Sequence, residues 1–117
     1  SALKNFDMIK VNASKKHLIL GDMLELGKYS KKLHLEIIKN INKTSIKNVN
    51  VVGKHMSDSF QRLHENKKGL ILKNISEINS LIKNTLNNND YLMIKGSNST
   101  GLNKLTMDIK KGKMNAL

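Results

Sequence analysis

The stretch HLILGDMLELG, His17 to Gly27, decides how this chain is read. A short apolar run, Leu18 to Leu20, ends in Gly21-Asp22, and a second glycine follows at Gly27 with acidic and apolar residues between. An apolar run this short, bounded by a turn signal, has the length of a buried strand rather than a helix. Beyond it, SKKLHLEIIKNINK (30–43) repeats Leu33, Ile37, Ile38 and Ile41 at helical spacing, with Ser30 placed to cap the helix. A strand that leaves through a tight acidic loop into a basic helix is where small α/β domains place a ligand.

The alternation continues along the chain. VNVVG (49–53) is β-branched and ends in glycine, so it reads as a second strand, with LILK (70–73) and YLMIKG (91–96) as the third and fourth. SDSFQRLHENKKG (57–69) reads as a shorter helix with Phe60 and Leu63 on one side. Asn74 and Glu77 form a capping-box pattern ahead of a stripe of Ile75, Ile78, Leu81, Ile82 and Leu86, which NNND (87–90) ends. Leu3, Phe6, Met8 and Ile9 suggest a helix at the start, and Leu102, Leu105 and Ile109 one at the end. Strands alternating with helices imply an α/β fold: a mostly parallel sheet of about four to six strands, with helices on both faces in a Rossmann-like, three-layer domain.

Composition narrows the function. The chain has 117 residues, 38% of them hydrophobic, enough for one domain with its own core. It has no cysteine, which excludes disulfides and thiolate metal sites, and no apolar run long enough to span a bilayer. No secretory signal opens it, so a cytoplasmic location is expected. The net charge of +12 invites a nucleic-acid partner. Against that, the lysines are spread along the chain, Arg62 is the sole arginine, and aromatics make up 3%. The lysines therefore read as solvated surface, with neither nucleic acid nor membrane as partner.

Ligands of open parallel sheets bind beyond the carboxyl ends of the strands. Three loops there carry polar chemistry: GDMLELG (21–27), GKHMSDS (53–59) and KGSNSTG (95–101). Asp22 and Glu25 suit hydrogen bonds from a ribose, an amine or Mg²⁺-bound water, although Asp22 equally suits a turn or a helix cap. Lys95, with the N–H groups of Gly96-Ser97-Asn98-Ser99, suits an anion, although on spacing alone this is equally an ordinary strand-to-helix turn. It is not a P-loop, since no G-K-[ST] occurs in the chain. His34 sits within a helix stripe, where a hydrogen-bonded core histidine is the plainer reading. His17, His55 and His64 lack metal-ligand spacing and receive no role, and no metal site is expected.

These residues resemble a known family. LILGDMLELGKYSKKLHLEI (18–37) is similar to the signature opening the C-terminal domain of the Mur ligases, in the MurF branch: an apolar strand, G-D-M-x-E-L-G, then a helix containing L-H. YLMIKGSNSTGLNKL (91–105) is similar to that domain's later strand and K-G-S-x-S turn, a feature shared more loosely with other amide-forming ligases. The resemblance covers nearly the whole of 1–117. It implies an ATP-dependent ligase of peptidoglycan synthesis that adds D-Ala-D-Ala to UDP-MurNAc-tripeptide. ATP and Mg²⁺ would be held mainly by a central domain, and the N-terminal and central domains of the same protein would be partners. By position, Gly21, Asp22, Glu25 and Gly27 fall to the ATP side and closure, and Lys95, Gly96, Ser97, Asn98 and Ser99 to the incoming dipeptide or acyl phosphate. His34 would support the loop from behind.

Departures from the family pattern qualify this. Many relatives carry Arg where this chain has Asn98, and Met-Glu where it has Leu102-Asn103. The family's G-T-x-G-K-T loop and D-x-Y-N-A-N-P segment are absent. The expectation is therefore an N-terminally truncated fragment, short of a sheet strand and inactive alone. The alternatives are another Mur-type or folylpolyglutamate-type ligase domain, or a free-standing basic module that binds nucleic acid.

Overall fold

The computed structural model describes residues 2–23 and 27–96. Four strands form one sheet: β1 (Lys16–Gly21), β2 (Asn48–Val52), β3 (Lys68–Leu72) and β4 (Tyr91–Lys95). Its order is β3-β2-β1-β4, and every neighbouring pair is parallel. Helices α1 (Ala2–Asp7), α2 (Ser30–Asn42), α3 (Lys54–Ser59) and α4 (Ile75–Thr85) complete the α/β fold expected from the alternation. No helix among the described residues is long and apolar enough to cross a membrane.

Alternation along the strands divides the core. Leu18, Leu20, Val49, Val51 and Met93 point to one face, where they meet Phe6 of α1, Ile38 and Ile41 of α2, and Met56 of α3. Ile19, Val52, Leu72 and Leu92 point to the other, against Ile78, Leu81 and Ile82 of α4. The β1 run is buried from end to end because strands flank it on both edges and helices cover both faces.

Several elements differ from the periodicity reading. The helix expected over 57–69 starts earlier, at Lys54, and ends at Ser59; two single 3₁₀ turns at Phe60–Arg62 and Glu65–Lys67 then lead into β3, which begins at Lys68 rather than Leu70. Apolar content is too thin there for a longer stripe, and Phe60 and Leu63 reach the core from the irregular segment instead. Ser30 is the first helical residue, not the cap, because a 3₁₀ turn over Gly27–Tyr29 precedes it. Along α2 the buried line is His34, Ile38 and Ile41, and Leu33 lies outside it. Met8 is exposed, since α1 ends before it. Asn74 does cap α4, its side chain accepting from the Glu77 N–H, while Glu77 accepts from the Lys73 N–H. The expected last helix, with Leu102, Leu105 and Ile109, lies outside the described residues.

The lysines are not all surface. Lys16 and Lys67 are buried, each ammonium serving as a hydrogen-bond knot at the amino end of the sheet. Lys16 donates to the Asp7 carbonyl, and Lys67 to the carbonyls of Thr44 and Ile46. The Asp7 carboxylate in turn accepts from the Ser45 N–H and hydroxyl at 2.9 and 2.7 Å, which ties α1 to the turn before β2. Burial pushes the Lys67 ammonium below its usual value, against the pull of the Asp7 charge. Burial alone would raise the Asp7 carboxyl, but the two Ser45 hydrogen bonds and the charges of Lys16 and Lys67 outweigh it and leave it below its ordinary value.

A carboxyl lowered in the folded state binds fewer protons there than in the unfolded chain. Its contribution is therefore complete above the ordinary carboxylate range and is lost as pH falls through the lowered folded value. Urea unfolding at about pH 5 and about pH 3 should show Asp7→Asn less stable than the parent at the higher pH, with the difference shrinking at the lower. A gap that stays constant between the two would show that Asp7 does not act through its charge.

Candidate site at the switch point of the sheet

The strand order creates a break in the winding. From β1 the chain steps outward to β2 and then β3. It then crosses back through α4 to place β4 on the far side of β1. Neighbouring strands whose connections leave in opposite directions open a crevice at their carboxyl ends, the usual ligand position in open α/β sheets. Here that switch point falls between β1 and β4. Leu20 is in register with Lys95, so the segments after Gly21 and after Lys95 emerge side by side. The carboxyl ends of β1 and β4, at Gly21 and Lys95, are thus brought together, while the end of β2 at Val52 flanks β1 on the other side.

Asp22 forms the centre of this edge. It is 6% exposed, and its two carboxylate oxygens accept from the first turn of α3: Oδ1 from the Met56 N–H at 2.9 Å, Oδ2 from the His55 N–H at 3.2 Å. A residue from the preceding strand therefore caps α3, and its negative charge sits at the positive end of that helix. Gly53, the residue before the helix, has φ +103°. A Cβ there would fall 2.5 Å from the Asp22 carboxyl carbon, so both backbone and space demand glycine.

His34 is fully buried beneath the same edge. Its Nε2 accepts from the Met23 N–H at 2.9 Å, and its Nδ1 lies 2.6 Å from the Ser30 carbonyl oxygen. The ring stacks on His55 with centroids 5.1 Å apart. Gly27 closes the stretch with φ +57° and nothing within 4 Å of where a Cβ would stand. Lys95 is exposed, and Gly96 follows it at the end of β4. Glu25, Ser97, Asn98 and Ser99 lie outside the described residues.

His55 carries no signal in the sequence because its partner, His34, is 21 positions away and on another helix. A second pair without a sequence signal sits at the opposite end of the sheet. There His17 Nε2 lies 3.0 Å from Asp90 Oδ2, which also accepts from the Asn87 N–H. Among the described residues no three His, Cys, Asp or Glu side chains gather in a metal-ligating group.

The two glycines of this edge should differ in cost when replaced by alanine. Gly53→Ala combines backbone strain with displacement of the Asp22 cap and should cost about 3 kcal/mol or more. Gly27→Ala meets open space and should cost about 1 kcal/mol, from the left-handed backbone alone. Urea unfolding of the two variants measures the difference, and equal losses would contradict the capping geometry.

No protein-family model matches this chain, and no solved structure matches it. Among curated proteins, it is similar to the UDP-N-acetylmuramoyl-tripeptide–D-alanyl-D-alanine ligase of Rickettsia prowazekii (strain Madrid E), with 30% identity over 96 residues. The matched part is 82% of this chain and 21% of the ligase, so the chain spans about a fifth of the length of that curated relative.

Proposed function

We propose that this chain is a Mur-type C-terminal domain of an ATP-dependent, amide-forming ligase of peptidoglycan synthesis, with D-Ala-D-Ala as the amino component and UDP-MurNAc-tripeptide as the acid component. The observation that carries this is the 30% identity to the Rickettsia ligase over most of the chain. The geometry supports it: the strands that open the two stretches resembling the family, β1 and β4, are parallel neighbours on either side of the switch point.

In such an enzyme ATP supplies the phosphoryl group that activates the tripeptide carboxylate, and the dipeptide amine then displaces phosphate to form the amide. The chemistry depends on positioning and on countering negative charge. On this chain, Lys95 offers an exposed ammonium at the end of β4, placed to attract an anionic reactant entering the crevice. Asp22 fixes α3, and His34 fixes Met23, so the crevice has one firm wall. Both Asp22 oxygens are already engaged by amide hydrogens, so Asp22 shapes this wall. Among the described residues no group of three His, Cys, Asp or Glu side chains gathers to hold Mg²⁺.

The test uses the full reading frame that encodes this chain. Its protein should release ADP in a D-Ala-D-Ala-dependent manner with UDP-MurNAc-tripeptide, and the 117-residue chain alone should release none. Lys95→Ala in the whole protein should lower the rate at least about tenfold while the fold is kept. ADP release with a different amine would move the reading to a sister ligase. A reading frame confined to this chain would end the ligase reading.

A further inference from the structure

The amino end of the sheet holds a second polar site, away from the switch point. His17 and Asp90 are each 6% exposed, and their pairing reaches across 73 positions, from β1 to the turn before β4. Asp90 Oδ2 takes two hydrogen bonds, from His17 Nε2 at 3.0 Å and from the Asn87 N–H at 2.9 Å. A carboxylate only accepts, so Nε2 carries a hydrogen and the ring is held by one edge. Its other nitrogen, Nδ1, has no partner among the described residues. No sealed side-chain nitrogen or oxygen among them lacks a partner, so Nδ1 is not sealed. It opens into a cavity of about 420 Å³ that His17 helps to line. That volume falls in the range of roughly 300–1,000 Å³ typical of small-molecule sites.

We propose that this cavity is a binding site for a small, neutral, polyhydroxylated ligand of the monosaccharide or polyol class, with His17 Nδ1 as its buried contact and Asp90 as the residue that positions the ring. The walls select that chemistry. Asn48, in register with His17, spends its amide hydrogens on the carbonyls of Ser14 and Lys16 and so offers only its oxygen. Thr85, Asn87 and Asn88, at the end of α4, have side chains with no hydrogen bond among the described residues, and they supply donors as well as acceptors. Hydroxyl groups do both, so they match this mixture better than a group that only donates or only accepts. A hydroxyl also suits Nδ1 in either protonation state, donating to the bare nitrogen or accepting from a protonated one. Charge gives no hold on an ion. The partial negative end of α4 and the Asp90 carboxylate oppose an anion, and the Lys15 ammonium on the same wall opposes a cation. The run NNND (87–90), legible in sequence only as a helix stop, thus builds much of the site. Asn89 takes the left-handed backbone at φ +72°, which asparagine tolerates, and the turn so made carries Asp90 to His17.

The site lies at the opposite end of the sheet from the switch point, so its test does not depend on ligation. ¹H–¹⁵N spectra of the 117-residue chain follow the side-chain amides of Asn48, Asn87 and Asn88 and the His17 ring while glucose, ribose or myo-inositol is added. The expected result is a saturable shift of these signals with at least one of the three, while the backbone amides of Met23 and Lys95 stay in place. Inorganic phosphate and ethylammonium, at matched ionic strength, should give no saturable shift there. His17→Gln, whose amide can still donate to Asp90, should weaken polyol binding roughly three- to tenfold. Asn88→Ala, at an exposed position, should weaken it by a similar factor with Tm unchanged. The absence of a saturable shift with all three polyols overturns the proposal. So does saturation by phosphate or ethylammonium alone, or polyol binding that both variants leave intact. If His17→Gln does not fold, Asn88→Ala and the parent chain still decide. Polyol binding without ligase activity in the whole protein would sink the proposed function and leave this inference standing.

Discussion

One buried carboxylate holds the upper edge of this domain together. Asp22 leaves β1 and immediately spends both oxygens on the first turn of α3, a helix that begins more than thirty residues later in the chain. A helix of six residues has little stability of its own, and its early N–H groups need acceptors. By supplying them from the neighbouring strand, Asp22 converts a weak helix into a fixed wall. It also dictates the glycine at position 53, because the carboxylate occupies the space a side chain would need. The edge is thus built around the cap, with Met23 held beside it by His34.

The two ends of the sheet use polar residues in different ways. At the carboxyl end, the side chains of Asp22 and His34 bind the backbone of α3 and of Met23. At the amino end, buried lysines tie α1 and the turn after α2 to the sheet, and the His17–Asp90 pair ties β1 to the segment before β4. Polar burial at the amino end ties elements together, whereas at the carboxyl end it caps α3 and holds Met23. The strand order sets where the winding reverses, between β1 and β4.

Much of this was legible from residues alone. The four strands were visible because each is a short β-branched or leucine-rich run bounded by glycine or asparagine, and α4 because Asn74 and Glu77 mark its start. What stayed hidden was set by contacts distant in sequence. Nothing local distinguishes Lys16 or Lys67 from the surface lysines; their burial follows from carbonyls supplied by α1 and by the turn before β2. Asn50 in the middle of β2 looks like a poor strand residue, yet its side chain bridges the Leu18 carbonyl and the Leu70 N–H where the β2–β3 register shifts. Asp22 was readable as either a cap or a ligand group, and only the position of α3 shows the cap. The order of the strands, and with it the crevice, has no sequence signal of its own.

The pairing of β4 with β1 has a kinetic meaning. Its partners are about 75 positions apart, whereas β1 and β2 are joined through a single helix. Closing the longer loop carries the larger entropy loss, and parallel pairings of this kind form slowly. The β1–α2–β2 unit has the shorter loop to close and is the natural nucleus, with β4 docking after α4 has crossed the sheet. Until β4 docks, β1 has no neighbour on that side, so a ligand held between the carboxyl ends of β1 and β4 would report that the pairing with the longest loop has formed.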